Sequence, residues 1–221
     1  RSLVGCVRRV HETAAEDEEA AGRRVQPLQK YIVEAPQDQY AEQECRRVLL
    51  IFPTSERIPQ ARFRLADAHY QAAEWNQAID AFESFIDRHP DHLEVAGAMR
   101  NRARALERTG EHARAGEAFG ELHNRFRAGE YAAQDLLSSG SNYERAGMPD
   151  EAMSAFKELI TRHASSPLVN EAGYTLGLVL LRAGRTQEAL SRFESIRASE
   201  REPDARLEIG RAALADEDLK R

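Results

Sequence analysis

Cysteine is nearly missing: Cys6 and Cys45 are the two in 221 residues. Two are too few for a disulfide framework, and they cannot make a structural zinc site alone. Long apolar runs are missing too. The longest, Leu176 to Leu181, is interrupted by Gly177 and is far too short to span a bilayer. Positive charge is not in excess: the net charge is −6 and the pI about 5.7. That argues against general nucleic-acid binding, which needs a basic face. No phosphate-binding Gly-rich loop, no nucleophile elbow and no H-E-x-x-H pair occurs, so no common catalytic motif is present.

What is present is 31% charged and 42% hydrophobic residues, the balance of a folded chain. "EWNQAIDAFESFIDRHP", residues 74–90, reads as an amphipathic helix closed by Pro90. Stepping by 37 from its residues reveals a repeat. Ala78 leads to Ala115, Ala152 and Ala189, and back to Ala41. Phe82 leads to Phe119, Phe156 and Phe193, and back to Cys45. Phe85 leads to Leu122, Leu159 and Ile196, and back to Val48. A fourth column reads Pro36, Ala73, Gly110, Gly147, Gly184 and suits a turn between two helices, where Gly tolerates positive φ.

Each unit is therefore a helix, a tight turn, a second helix and a linker. The expected units are 22–58, 59–95, 96–132, 133–169 and 170–206. Residues 1–21 make an N-terminal helix or cap, and 207–221 start a further helix. Pro27 points to irregular structure in the first unit, and Cys45 reads as a small buried hydrophobe there. No unit can bury its own apolar face, so neighbours must stack. The expected core is Ala78, Phe82, Phe85, Ala115, Phe119, Ala152, Phe156, Ala189 and Phe193.

These columns resemble the tetratricopeptide repeat family. The first-helix pattern is carried by Arg62, Leu65, Ala66 and His69, and the second-helix pattern by Trp75, Ala78, Phe82 and Pro90. The fourth unit supplies Leu136, Gly140, Tyr143, Gly147, Ala152 and Phe156, and the fifth Leu176, Gly177, Gly184, Ala189 and Phe193. The family unit is about 34 residues, so the longer period here puts extra residues in the linker. Phrases such as "ARFRLADAHYQ" are similar to a bacterial envelope subgroup that includes the TolA-binding protein domain and outer-membrane assembly lipoproteins. The resemblance implies an all-α, right-handed superhelical solenoid of antiparallel helix pairs that binds proteins or peptides without catalysis. It implies the bacterial periplasm or envelope, with a cytoplasmic setting left open.

In that family frame first-helix residues line the concave face. Arg108, Arg145 and Arg182 recur 37 apart, and Arg100 and Arg104 precede Arg108 by successive helical turns. A planar guanidinium pairs well with carboxylates, so an acidic segment or a free C-terminus is the natural guest. The competing reading is a self-neutralised ridge, because Glu107 and Glu144 stand beside the ladder. Phe63, Tyr70, Tyr174, Leu178 and Leu181 add apolar anchors of the kind found at binding hot spots. The apolar group in the fifth unit has another cover available, the helix that starts near residue 205.

Other features are weaker. "DRHPDH", Asp87 to His92, has metal-ligand residue types but reads as a polar linker. No metal, cofactor or nucleic acid is expected. "LVGC", Leu3 to Cys6, has the local look of a lipoprotein cleavage box, while Leu3, Val4, Val7 and Val10 also fit one face of a helix. The chain begins with Arg1, which suggests a processed form or a piece of a longer solenoid. Two alternatives to the binding scaffold follow: a structural segment or oligomer with lateral contacts, and the regulatory arm of an enzyme lying elsewhere.

Overall fold

The structure, a computed structural model, describes residues 58–196 and 200–218, together with Arg46 and Leu50. The expectations for residues 1–21, for the unit 22–58 and for Cys6, Pro27, Ala41, Cys45 and Val48 lie outside the described residues. Nine helices occupy the described part, numbered here in chain order. They are α1 (Ile58–Gln71), α2 (Trp75–Arg88), α3 (Val95–Arg108), α4 (His112–Arg125), α5 (Ala132–Arg145), α6 (Pro149–Arg162), α7 (Val169–Arg182), α8 (Thr186–Glu194) and α9 (Glu202–Asp218).

The fold is all-α and built of antiparallel helix pairs of the tetratricopeptide type. The starts of α1, α3, α5 and α7 are 37 residues apart, and so are those of α2, α4, α6 and α8. Seven of these eight helices have 14 residues. A three-residue turn joins the members of a pair, and a six-residue linker leads to the next. The linker is two consecutive turns in each case, as in His92 N–H to His89 O and Val95 N–H to His92 O. The same two bonds recur at Gly129 and Ala132, and at Ser166 and Val169.

The turns repeat just as closely. In the third pair Gly147 N–H donates to Glu144 O and Met148 N–H to Tyr143 O, the two bonds of a Schellman motif. Equivalent bonds close the turns at Ala73, Gly110 and Gly184. All four residues have positive φ: 59° at Ala73, 82° at Gly110, 72° at Gly147 and 74° at Gly184. The fourth column is thus a backbone requirement, met by Gly three times and by a strained Ala once.

Two compact units divide the chain between Asn101 and Arg102. The described part of the first holds α1, α2 and the start of α3. Its core is aromatic: the Phe63 ring lies 6.0 Å from Phe82 and 5.5 Å from Phe85, and Tyr70 meets Trp75 edge-on at 5.3 Å. Ala78, Ile79, Phe82 and Phe85 form the buried stripe of α2, at helical spacing.

The second unit runs from Arg102, and each of its helices from α4 to α9 packs on the next. Its core includes Leu136, Phe156, Leu159, Leu176, Leu180 and Phe193. Glycine allows close approach here. A Cβ on Gly140 would lie 2.6 Å from the Phe156 ring, and one on Gly177 would lie 2.4 Å from that of Phe193. Ala78, Ala115, Ala152 and Ala189 are fully buried, as the repeat requires.

The end of the chain departs from the frame. α8 has nine residues, and α9 begins at Glu202 rather than 207. At the end of α8 the Ser195 hydroxyl donates to Arg192 O, a local bond that competes with helix continuation.

Candidate protein-binding face

The Schellman turns place Arg108, Arg145 and Arg182 as the last residues of α3, α5 and α7. All three are exposed. A cation at a helix C-terminus is favourable to the helix dipole, which gives each a local role. Each position also reaches beyond its own helix. Arg145 donates to Glu107 at 2.7 Å, and Arg182 to Glu144 at 2.5 Å. Each glutamate thus pairs with the arginine 38 residues on, across two successive first helices, rather than merely sitting beside its sequence neighbour. Arg145 and Arg182 are 56% and 64% exposed, so these rungs are exchangeable surface pairs.

Arg104 is exposed, one helical turn before Arg108 in α3. The same column holds Ser141 in α5 and Leu178 in α7, both half-buried. The first-helix face of the second unit therefore grades from cationic through small and polar to apolar.

The apolar end is partly covered from within. Tyr174, Leu178 and Leu181 are half-buried and pack against the second unit's core, as does Ile209 of α9. The Tyr174 ring lies 5.9 Å from that of Phe193, and the Arg201 guanidinium sits over the Tyr174 ring, 5.3 Å from its centroid, as a cation–π partner. Arg201 also forms a fork with Glu171, at 2.5 and 2.8 Å. That fork holds the Arg201 guanidinium pKa above its ordinary value, while burial raises that of the Tyr174 phenol. Sequence reasoning missed the Glu171–Arg201 fork. The signal was the Glu171 carboxylate in a first-helix column, but its partner could be found only once α9 was placed.

The remaining expected residues fall in the first unit. Phe63 is 7% exposed and belongs to the aromatic core rather than to an open surface. Tyr70 is half-buried, held edge-on by Trp75 and Phe82. Arg100 is half-buried in α3. Ala115, Phe119, Ala152, Phe156, Ala189 and Phe193 are buried in the second unit, and Ala78, Phe82 and Phe85 in the first.

The second unit also buries a polar set that the sequence did not announce. Asn142 donates to Ser138 O and pairs with His112 at 3.0 Å. Ser139 donates to Gly116 O, where the missing side chain gives Tyr143 its seat. His123 pairs through Nδ1 with Ala132 O. These contacts tie α4 to α5, while His123 Nε2 is buried without a hydrogen-bond partner among the described residues. Among the described residues no group of three or more His, Cys, Asp or Glu is placed to hold a metal, and no helix is long and apolar enough to cross a membrane.

Comparison with known proteins fits this geometry. Residues 137–196 and 174–221 match a tetratricopeptide repeat family model. The chain has a tetratricopeptide-like fold. Residues 29–105 match the YfiO family, described as outer membrane lipoprotein. No curated protein matches the chain. Among solved structures, tetratricopeptide-like repeats of a putative kinesin light chain from Podosopora anserina are 15% identical, with a TM-score of 0.61 over 92% of this chain and 95% of that one. MamA from Desulfovibrio magneticus is 12% identical, with a TM-score of 0.57 over 92% and 98%. Another MamA structure is 20% identical, with a TM-score of 0.53 over 72% and 85%. Likenesses at these identities establish the tetratricopeptide fold.

Proposed function

We propose that the protein is a non-catalytic scaffold that holds a protein or peptide on the first-helix face of its second unit, within a bacterial envelope assembly. The observation that carries this reading is the exposed arginine ladder beside a half-buried apolar group on that same face. The match of residues 29–105 to an outer membrane lipoprotein family supports the envelope setting.

The guest we favour has an acidic segment or a free C-terminal carboxylate, with an apolar residue nearby. Its carboxylates would engage Arg104, displace the contact that Arg108 already makes, and exchange with Glu107 and Glu144 for Arg145 and Arg182. Such exchange is inexpensive, because the rungs are solvent-exposed and contribute little to stability. Its apolar residue would cover Leu178 and Leu181. The guanidinium fork favours carboxylates over other acceptors by geometry as well as charge.

The test is a pull-down from envelope extract at low salt with Arg108, Arg145 and Arg182 changed together to Ala. Bound partners should be lost, and the loss should be mimicked by raising salt on the unaltered protein. Retention of every partner by the triple variant would remove the ladder as a site.

A further inference from the structure

His123 of α4 stands in a second-helix column that holds Ile86 one repeat before and Ile160 one repeat after. It is 1% exposed. An isoleucine brings no polar atom to that place, whereas a histidine brings two ring nitrogens. Nδ1 lies 3.2 Å from Ala132 O. A carbonyl oxygen only accepts, so Nδ1 holds the proton, and Nε2 of the neutral ring is left as a bare acceptor. This Nε2 is buried and has no hydrogen-bond partner among the described residues. Another acceptor, Glu158 Oε1 of α6, lies 3.6 Å away. Two acceptors turned to each other at a buried site are costly, and one proton between them reverses the sign of the contact.

His163, just past the end of α6, meets the His123 ring edge-on at 5.4 Å, and its Nε2 is also buried without a partner. Burial lowers the His163 pKa and His123 lowers it further, while Glu158 raises it and Arg162 lowers it. Two imidazolium rings in contact repel, so the pair takes one proton before it takes two. The nitrogen that lies against the carboxylate is His123 Nε2. Glu158 Oε1 also accepts Arg162 Nε at 2.9 Å, and one carboxylate oxygen has lone pairs enough for both donors. The other charged groups near α4 are the buried Asp135 of α5, one turn after Ala132, and Arg102 of α3, held by Glu121 at 2.9 Å.

We propose that His123 is a proton-operated latch between α4 and α6: with a proton bound at Nε2 it donates to Glu158 and ties together the second helices of two successive pairs. All its parts belong to the second unit. The contact exists only while the proton is bound. Its stabilisation is therefore present in acid and is lost as pH rises through the histidine range. It opposes the weakening that burial of His163 brings in acid.

The test uses the full 221-residue chain. NMR follows the ring-nitrogen signals of His123 from about pH 8 to about pH 5, the span in which histidine changes charge. At the basic end His123 should be the Nδ1–H tautomer, and acid should add the second proton at Nε2. Glu158→Gln should weaken proton binding by His123 about tenfold, the scale of one lost charge-assisted hydrogen bond. His123→Ile installs the residue of the neighbouring repeats and removes the latch without emptying its place. The thermal midpoint of the unaltered chain minus that of His123→Ile should grow by about 3 °C or more between about pH 7.5 and 5.5. If His123→Ile does not fold, the tautomer and Glu158→Gln decide. An Nε2–H tautomer at the basic end, weakening in Glu158→Gln of less than about threefold, or a midpoint difference that stays level or shrinks in acid overturns the proposal.

Discussion

The described helix pair of the first unit and the pairs of the second solve one packing problem differently. In the second unit a first helix gives way to its partner: Gly140 and Gly177 leave room for Phe156 and Phe193. The first unit has Ala66 in that column and gathers Phe63 and Tyr70 around Phe82 instead, with Trp75 edge-on to Tyr70. The second unit pairs Arg145 and Arg182 with glutamates across repeats, whereas in the first burial lowers the pKa of His89 and Arg62 and Arg88 lower it further. A repeat thus fixes the positions of helices more strictly than the chemistry that joins them.

The comparison can be broken most severely at its shared column. Phe193→Ala and Phe82→Ala should each cost about 3–5 kcal/mol, the scale for emptying a buried Phe site. Chemical unfolding monitored by circular dichroism reads both. A cost under about 1 kcal/mol at either would mean that the column does not hold the stack.

Gly177→Ala sharpens the difference between the units. Overpacking against Phe193 should cost about 1–3 kcal/mol, which exceeds the roughly 1 kcal/mol gained from better helix propensity. A net gain in stability would show that the ring shifts freely, and Phe193→Leu should rescue the variant if it does not.

The turns offer a change of opposite sign. Ala73→Gly relieves the left-handed Ala and should stabilise by up to about 1 kcal/mol, while Gly147→Ala should destabilise by a similar amount. Thermal midpoints moving the same way in both variants would contradict the turn geometry.

Acid should weaken the fold through the two linker histidines. Burial holds His89 and His163 below the ordinary 6.5 in the folded protein. The unfolded chain then binds more protons as pH falls through that value. Stability is therefore full above it and declines below it, down to the folded values. His89→Phe, the residue type of Phe126 in the same column, should flatten the decline more than His163→Phe, because Glu158 raises the pKa of His163 against the burial that lowers it. Melting curves at about pH 7.5 and 5.5 decide this.

The smallest effect belongs to the rungs. A double-mutant cycle on Glu144 and Arg182 should give about 0.2–1 kcal/mol, falling with salt. A larger coupling would make the ladder structural and count against its exchange with a guest.

Much of this was legible because periodicity is a property of the chain. Ala78, Ala115, Ala152 and Ala189, with the three turn glycines, locate every described turn and second helix. The candidate face was less legible. Column counting put Phe63 and Leu178 on one list, yet the Phe63 ring goes into the core and Leu178 stays half-exposed. Helical phase gives a direction, and neighbouring volumes decide how deep a side chain goes. Arg201 was out of reach because its partners, Glu171 and Tyr174, come from a helix 30 residues earlier or nearly so.

By itself, then, the sequence determined the repeat, the helix type and the places where the backbone turns, since these follow from local spacing and from φ at single residues. Only the tertiary structure decided which charges meet. Glu107 and Glu144 each sit next to one arginine in the chain and pair with another one repeat on, because stacking brings the first helices side by side.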